Sequence, residues 1–199
     1  MVIHDTDYSF NGGLTKRDTT KSIILHHRAG DGDMDSLHRT HLANGWAGVG
    51  YHFYIRKNGD IFRGRPIDTV GAHATGHNYS SIGICFEGNY QTYDNMPLAQ
   101  VEAGAELIAY VKSLYPGLSV KKHSDVTATA CPGRHFKFDD IINSVNTHDT
   151  DKLVTANDIA WELSQTITIY DMDGFVKALE QAKQQNSPLY WGFRKIVNK

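Results

Sequence analysis

The sequence predicts an α/β domain in which a mixed central β-sheet is flanked by helices, followed by a small C-terminal appendage. Strand-like and helix-like segments alternate along residues 1–146, which is typical of a sheet covered by helices. One pair of strand-like segments is joined by the tight turn Asn58-Gly59, so at least one strand pair is antiparallel. The composition, 40% hydrophobic and 21% charged in 199 residues, is sufficient for a packed core.

The first half of the predicted domain begins with the short apolar run at 22–27, which is typical of a buried strand. Asp33 or Asp35 can cap a helix that runs to about Asn44, where Gly45 ends it. The segment at 52–56 alternates apolar and polar residues, and the segment at 60–64 returns after the turn as a second strand. Residues 68–81 are rich in Gly, His, Asn and Ser and predict a long surface loop.

The second half of the domain continues with a buried strand at 82–86. Pro97 begins a helix with one apolar face, and Pro116-Gly117 ends it. A strand at 119–123, a loop at 124–133 and a helix at about 139–145 complete the domain.

A polar stretch at 146–152 predicts a linker between a main domain, 1–146, and a small α/β or helical module, 151–199. Within the module, Thr155 can cap a helix, and residues 166–170 resemble a strand. A further helix is predicted from Asp171 or Asp173 to about Gln185.

Charge and hydropathy exclude several classes of function. Twenty Lys and Arg against 22 Asp and Glu leave a net charge of −2, which argues against binding to nucleic acid. No segment approaches the roughly 18–20 apolar residues of a membrane span, which argues against membrane insertion. The N-terminus lacks the features of a secretory signal, so we expect synthesis in the cytoplasm.

Eleven histidines indicate a metal site. His26 and His27 end the first buried strand, His123 ends the last one, and Cys131 follows eight residues later. Imidazole and thiolate are ligands that zinc prefers, and a catalytic zinc has three protein ligands. Adjacent strand residues point to opposite faces, so we expect only one of His26 and His27 to ligate. The alternative is that these are ordinary strand-end histidines and a small buried thiol.

Six sequence blocks, in order across residues 20–145, carry a family resemblance. They are IILHH (23–27), NGW (44–46), GYHF (50–53), NGD (58–60), VGAHATGHNYSSIGICFEGNY (70–90) and KKHSDVTATACPG (121–133). Together they resemble the zinc-dependent N-acetylmuramoyl-L-alanine amidases, a family that includes T7-like lysozymes and shares its fold with the peptidoglycan recognition proteins. The resemblance is strongest to phage or prophage endolysins.

The resemblance implies Zn²⁺ as cofactor, with His26, His123 and Cys131 as its ligands. It implies hydrolysis of the amide bond between N-acetylmuramic acid and L-alanine in peptidoglycan by a zinc-activated water. Members that only bind peptidoglycan usually lack one of the three ligands, so the intact set favours an enzyme. The alternatives are a non-catalytic peptidoglycan-binding module and an amidase of soluble muropeptides.

Two further residues match catalytic positions of the family. Tyr51 matches a tyrosine beside the zinc and is expected to orient the water or stabilise the oxyanion; the alternative is a half-buried strand tyrosine. Thr129 stands where T7-like enzymes have a lysine, two residues before the cysteine ligand. A hydroxyl at that position supplies one hydrogen bond and no charge.

The substrate groove of the family implies roles for His73, Asn78 and Trp46. An imidazole and an amide at positions 73 and 78 can bond to peptide and lactyl carbonyls, unless water alone satisfies them. Trp46 can stack on the glycan or close the core. Cys85 is expected to be a buried free thiol that forms no disulfide with Cys131.

The other histidines and the C-terminal module have weaker assignments. We expect His41 either to pack inside the protein or to support a site residue from behind, and four histidines to lie at the surface: His4, His38, His135 and His148. The module, with Tyr190, Trp191 and Phe193, is either a cell-wall-targeting unit or a structural or oligomerising appendage. As an endolysin, the protein would reach its partner, peptidoglycan, at host lysis.

Overall fold

The computed structural model describes residues 1–92, 95–150 and 172–184. The chain divides into two compact units, one of residues 3–145 and one of residues 1–2 with 146–199. The first unit contains the sheet and every candidate site residue. Among the residues that the structure describes, no helix is long and apolar enough to cross a membrane.

A six-stranded sheet forms the centre of the larger unit. Its strands are β1 (Ile3–His4), β2 (Ser22–His27), β3 (Phe53–Ile55), β4 (Ile61–Arg63), β5 (Ser81–Phe86) and β6 (Ser119–Lys122). Their order across the sheet is β1-β4-β3-β5-β2-β6. The β3–β4 hairpin is antiparallel, and the other named pairs are parallel. The predicted mixed sheet is therefore confirmed; β1, with only two residues, was not predicted.

The two central strands, β2 and β5, are buried along their whole length. Strands of a parallel sheet with both faces covered read as continuous apolar runs, and the sequences of β2 and β5 do so. Their register sets His26 beside Cys85, and Leu25 of β2 lies beside Lys122 of β6 on the other side. The carboxyl ends of β2 and β6 therefore meet at one edge of the sheet.

The helices are α1 (Met34–Ala43), α2 (Leu98–Leu114), α3 (Phe138–Thr150) and, in the second unit, α4 (Met172–Gln184). Asp33 caps α1, since its side chain accepts a hydrogen bond from the Ser36 N–H at 2.8 Å. Gly45 follows the end of α1 with a φ of +79°, a conformation that favours glycine. The predicted bounds of α1, α2 and α4 agree with the structure to within two residues.

Three expectations need correction. The stretch 146–152 is not a linker throughout, because α3 continues to Thr150; no Gly or Pro interrupts the sequence there to end the helix. The loop at 68–81 is not wholly at the surface, since Thr69, His73 and Ala74 are buried. His38 is buried as well, because its ring stacks on Tyr8 and its Nδ1 accepts from the backbone N–H of Val49.

Several predictions for the C-terminal module lie outside the described residues. They are the helix capped by Thr155, the strand at 166–170 and the aromatic group of Tyr190, Trp191 and Phe193.

His52, directly before β3, is a fully buried histidine that joins three segments of the larger unit. Its Nδ1 accepts a hydrogen bond from the Gly83 N–H at 3.0 Å, and its Nε2–H donates to the Thr69 carbonyl at 2.9 Å. Burial lowers the pKa of His52 to about 3, with a further lowering from the guanidinium groups of Arg17 and Arg65. The fold therefore holds this imidazole neutral.

We expect His52 to make the protein sensitive to acid. The pKa of histidine is about 6.5 in the unfolded chain, so stability is full above that pH and falls as the pH drops towards 3. Between pH 7 and pH 4 this one group should remove about 3 kcal/mol from the free energy of unfolding. Urea unfolding at both pH values should show a smaller drop for His52→Asn, which cannot take up the proton. Equal drops in both proteins would contradict the assignment.

Candidate metal centre

Three side chains with metal-binding atoms converge at the edge of the sheet where β2 and β6 end. The ligand atoms of His26, His123 and Cys131 all lie within 4.8 Å of one another. The Cys131 Sγ is 3.8 Å from His26 Nδ1, and the rings of His26 and His123 are 4.4 Å apart between centroids. Among the described residues, these three side chains form the one group of three or more His, Cys, Asp or Glu residues close enough together to hold a metal ion.

The topology explains why residues 97 positions apart in the sequence meet. His26 lies near the end of β2 and His123 follows directly after β6, and these two strands are parallel neighbours. The loop after His123 brings Cys131 back beside the two histidines, because the Ser124 N–H donates to the Cys131 carbonyl at 2.8 Å and closes the loop. A rigid strand pair and a closed loop thus fix the three side chains.

His27, the neighbour of His26, is directed elsewhere. Its Nδ1 accepts a hydrogen bond from the Tyr90 N–H at 3.0 Å, and it is not part of the cluster. This is the opposite-face arrangement expected of adjacent strand residues.

The chemistry of the donor set fits a zinc ion. Ligands at bond lengths of 2.0–2.3 Å on a tetrahedral ion lie about 3.3–3.8 Å apart, which is close to the 3.8 Å between Cys131 Sγ and His26 Nδ1. Burial, with His123 and His27 nearby, lowers the pKa of His26 well below its usual value, so the ring is neutral as a ligand must be. Burial raises the pKa of the Cys131 thiol to about 11, so a bound cation would have to displace its proton.

Tyr51 lies against this cluster. Its ring centroid is 5.1 Å from that of His26, and its hydroxyl hydrogen-bonds to the buried thiol of Cys85. Burial raises the pKa of Tyr51 well above its usual value, so the hydroxyl keeps its proton at neutral pH. Cys85 and Cys131 are both free thiols, as expected from the sequence.

Thr129 is exposed at the rim of the cluster. Its Oγ1 accepts a hydrogen bond from the Cys131 N–H at 3.2 Å, which tightens the turn before the cysteine. This contact uses a lone pair of the hydroxyl and leaves its proton able to donate.

The three predicted substrate-binding residues occupy different environments. Trp46 is 50% exposed and lies on His41, at 4.7 Å between ring centroids, so the alternative that it closes the core is wrong. Asn78 uses its Oδ1 within the protein, accepting from the N–H groups of His73 and Ala74. His73 is only 8% exposed, and its Nδ1 lies 3.0 Å from His26 Nε2.

The contact between His73 and His26 is not evident from the sequence by itself. Two glycines carry an indirect signal, because a Cβ at Gly71 or at Gly83 would lie 2.5 Å from the His73 ring. Glycine at these two positions leaves space for the imidazole ring that packs between them. The contact between Tyr51 and Cys85 has no comparable signal.

Comparison with known proteins agrees with this architecture. A family model described as N-acetylmuramoyl-L-alanine amidase matches residues 16–134. The endolysin of Klebsiella phage KP32 is 36% identical over 132 residues, which cover 62% of this chain and 87% of that protein. Peptidoglycan-recognition protein SC2 of Drosophila melanogaster is 34% identical over 123 residues, 55% of this chain and 66% of that protein.

Solved structures give the same result. The N-acetylmuramoyl-L-alanine amidase LysC from Clostridium intestinale matches with a TM-score of 0.70 at 35% identity, covering 73% of this chain and 98% of that one. Drosophila PGRP-LB matches with a TM-score of 0.61 at 26% identity, over 68% of this chain and 91% of its own. Because the family model spans more than half of the sequence, the chain belongs to the N-acetylmuramoyl-L-alanine amidase family.

Proposed function

We propose that this protein hydrolyses the amide bond between N-acetylmuramic acid and L-alanine in bacterial peptidoglycan. The observation that carries the proposal is the convergence of His26, His123 and Cys131 in a chain of this family. The relatives named endolysins support a bacteriolytic role, in which the protein is released from the cytoplasm to the cell wall and lyses the host.

His26, His123 and Cys131 would hold the zinc ion, and two neutral imidazoles with one thiolate would leave the site a net charge of about +1. When bound, zinc supplies a Lewis acid that polarises a carbonyl oxygen and lowers the pKa of a water molecule towards 7. The ends of β2 and β6, and the loop that carries Cys131, keep the three side chains in place before the ion arrives, which reduces the ordering cost of binding.

On substrate binding, Tyr51 would turn its hydroxyl proton away from Cys85 and donate it to the oxygen that becomes negative when the amide carbon turns tetrahedral. A donor must be protonated, and the raised pKa of Tyr51 satisfies this condition at neutral pH. The contact of its ring with His26 limits how far the hydroxyl can move.

Thr129 would be a second donor to the same oxygen, and Thr129→Ala tests it. We expect kcat to fall about 10-fold or more, because one neutral donor is lost while the zinc ligands remain. Steady-state kinetics on a soluble muropeptide, with the zinc content measured in parallel, gives the result. Unchanged turnover would remove Thr129 from the site.

Trp46 would provide the exposed surface for substrate. It is half-exposed, and its ring lies on His41, which in turn lies 6.2 Å from the Tyr51 ring. An aromatic side chain at this place can stack against a sugar ring. His73 and Asn78 would act on substrate indirectly, since their polar atoms are engaged in the loop itself.

The decisive experiment measures the release of L-alanine amino groups from purified bacterial walls. A chelator should abolish the release, and Zn²⁺ should restore it. Protein that sediments with the walls but releases no amino groups would show a recognition module instead of an enzyme. Parallel assays on intact walls and on soluble muropeptides separate a lytic enzyme from one that acts on fragments only.

A further inference from the structure

The described part of the larger unit contains a short chain of polar contacts that leads away from the metal cluster. His26 Nε2 lies 3.0 Å from His73 Nδ1, and His73 Nε2 lies 3.4 Å from Ser81 Oγ. The Ser81 hydroxyl in turn donates to the His77 carbonyl at 2.7 Å. These side chains are buried, so these contacts replace hydration by water.

The last contact of this chain fixes the direction of the others. A carbonyl can only accept, so the single proton of Ser81 Oγ is used on His77, and Oγ can only accept from His73 Nε2. The backbone of Ser81 also hydrogen-bonds to the ring. His73 therefore carries its proton on Nε2, and its Nδ1 is an acceptor.

The same reasoning fixes the proton of His26. With His73 Nδ1 accepting, His26 Nε2 must be the donor across the 3.0 Å contact. A neutral imidazole has one N–H, so the lone pair of His26 lies on Nδ1, the atom 3.8 Å from Cys131 Sγ.

The fold keeps the His73 ring in place. A Cβ on Gly83 would lie 2.5 Å from His73 Cγ, and one on Gly71 would lie 2.5 Å from Cδ2, so two glycines form the slot for the ring. The backbone N–H of His73 donates to Asn78 Oδ1 at 2.8 Å.

We propose that His73 is a positioning residue that holds His26 as its Nε2–H tautomer and thereby presents Nδ1 as the metal ligand. The proposal rests on the proposed function for the identity of the metal, whereas the tautomer itself is a property of the metal-free protein. A histidine, instead of a carboxylate, as the partner of a ligating histidine adds no negative charge to the site.

The first test is imidazole ¹⁵N NMR of the metal-free wild-type protein above pH 7. We expect both His26 and His73 to show the Nε2–H tautomer. A His26 protonated on Nδ1 would overturn the proposal. This measurement requires no variant and no turnover.

The second test compares His73→Asn with His73→Leu. The Oδ1 of asparagine is bonded to Cγ as Nδ1 is in histidine, so it keeps an acceptor for His26, whereas leucine of similar size removes it. Competition with a chromogenic chelator should show zinc bound about 10–100-fold more weakly by His73→Leu and within a few-fold of wild type by His73→Asn. Equal affinities for the two variants would overturn the proposal.

His38→Leu is the matched control for the burial of leucine in place of histidine. His38 is buried outside the cluster and accepts the Val49 N–H, so its loss should lower stability and leave zinc affinity unchanged. A wild-type protein that binds zinc but releases no L-alanine amino groups would contradict the proposed function alone. The tautomer of His26 and the comparison of the two His73 variants would still show whether His73 positions His26.

Discussion

Replacing His123 with alanine should abolish the release of L-alanine amino groups from bacterial walls, with a loss on the order of 10³-fold or more. The variant leaves His26 and Cys131 as two ligands of a centre that needs three. Zinc content after dialysis should fall from about one ion per chain to nearly none. His123 is only half-buried and follows the end of β6, so the free energy of unfolding of the metal-free protein should change little.

His135→Ala is the matched control for this variant. His135 is half-buried like His123, but its ring lies by Arg134 and outside the cluster. It should keep both zinc and turnover. A His123→Ala protein with full zinc and full activity would contradict the assignment of the centre.

The sequence predicts most of the sheet because its strands differ clearly from their surroundings. β2 and β5 are continuous apolar runs, and Asn58-Gly59 specifies the hairpin between β3 and β4. β1 cannot be predicted from the sequence because a strand of two residues shows no periodicity. It forms only by pairing with β4, which lies far along the chain. The end of α3 escapes prediction because polar composition by itself does not end a helix.

The candidate metal ligands are predictable because strand order brings them together. His26 and His123 mark strand ends, and parallel neighbours meet at the same edge of a sheet. Loop residues are different, since a loop has no periodicity from which the direction of a side chain follows. The sequence therefore assigns His73 to substrate, although its ring contacts His26. It also leaves open whether Trp46 packs in the core, although the side chain is half-exposed.

Tyr51→Phe should lower kcat by about 10²–10³-fold while the zinc content stays that of the wild type. The variant removes only the hydroxyl and keeps the ring that packs against His26, so the ligands should stay in place. The loss arises because a half-buried, protonated donor held next to the developing charge is better placed than water to stabilise it. Steady-state kinetics on a soluble muropeptide should show the fall in kcat, with KM changed little.

Tyr54→Phe separates this effect from the removal of any buried hydroxyl. Tyr54 lies on β3, three residues from Tyr51, and its hydroxyl donates to the Gly32 carbonyl instead of facing the cluster. Its loss should lower the free energy of unfolding by about 1 kcal/mol and leave kcat unchanged. If Tyr51→Phe behaved in the same way, losing stability but not turnover, its hydrogen bond to Cys85 would be structural, and stabilisation of the oxyanion would fall to the metal and Thr129.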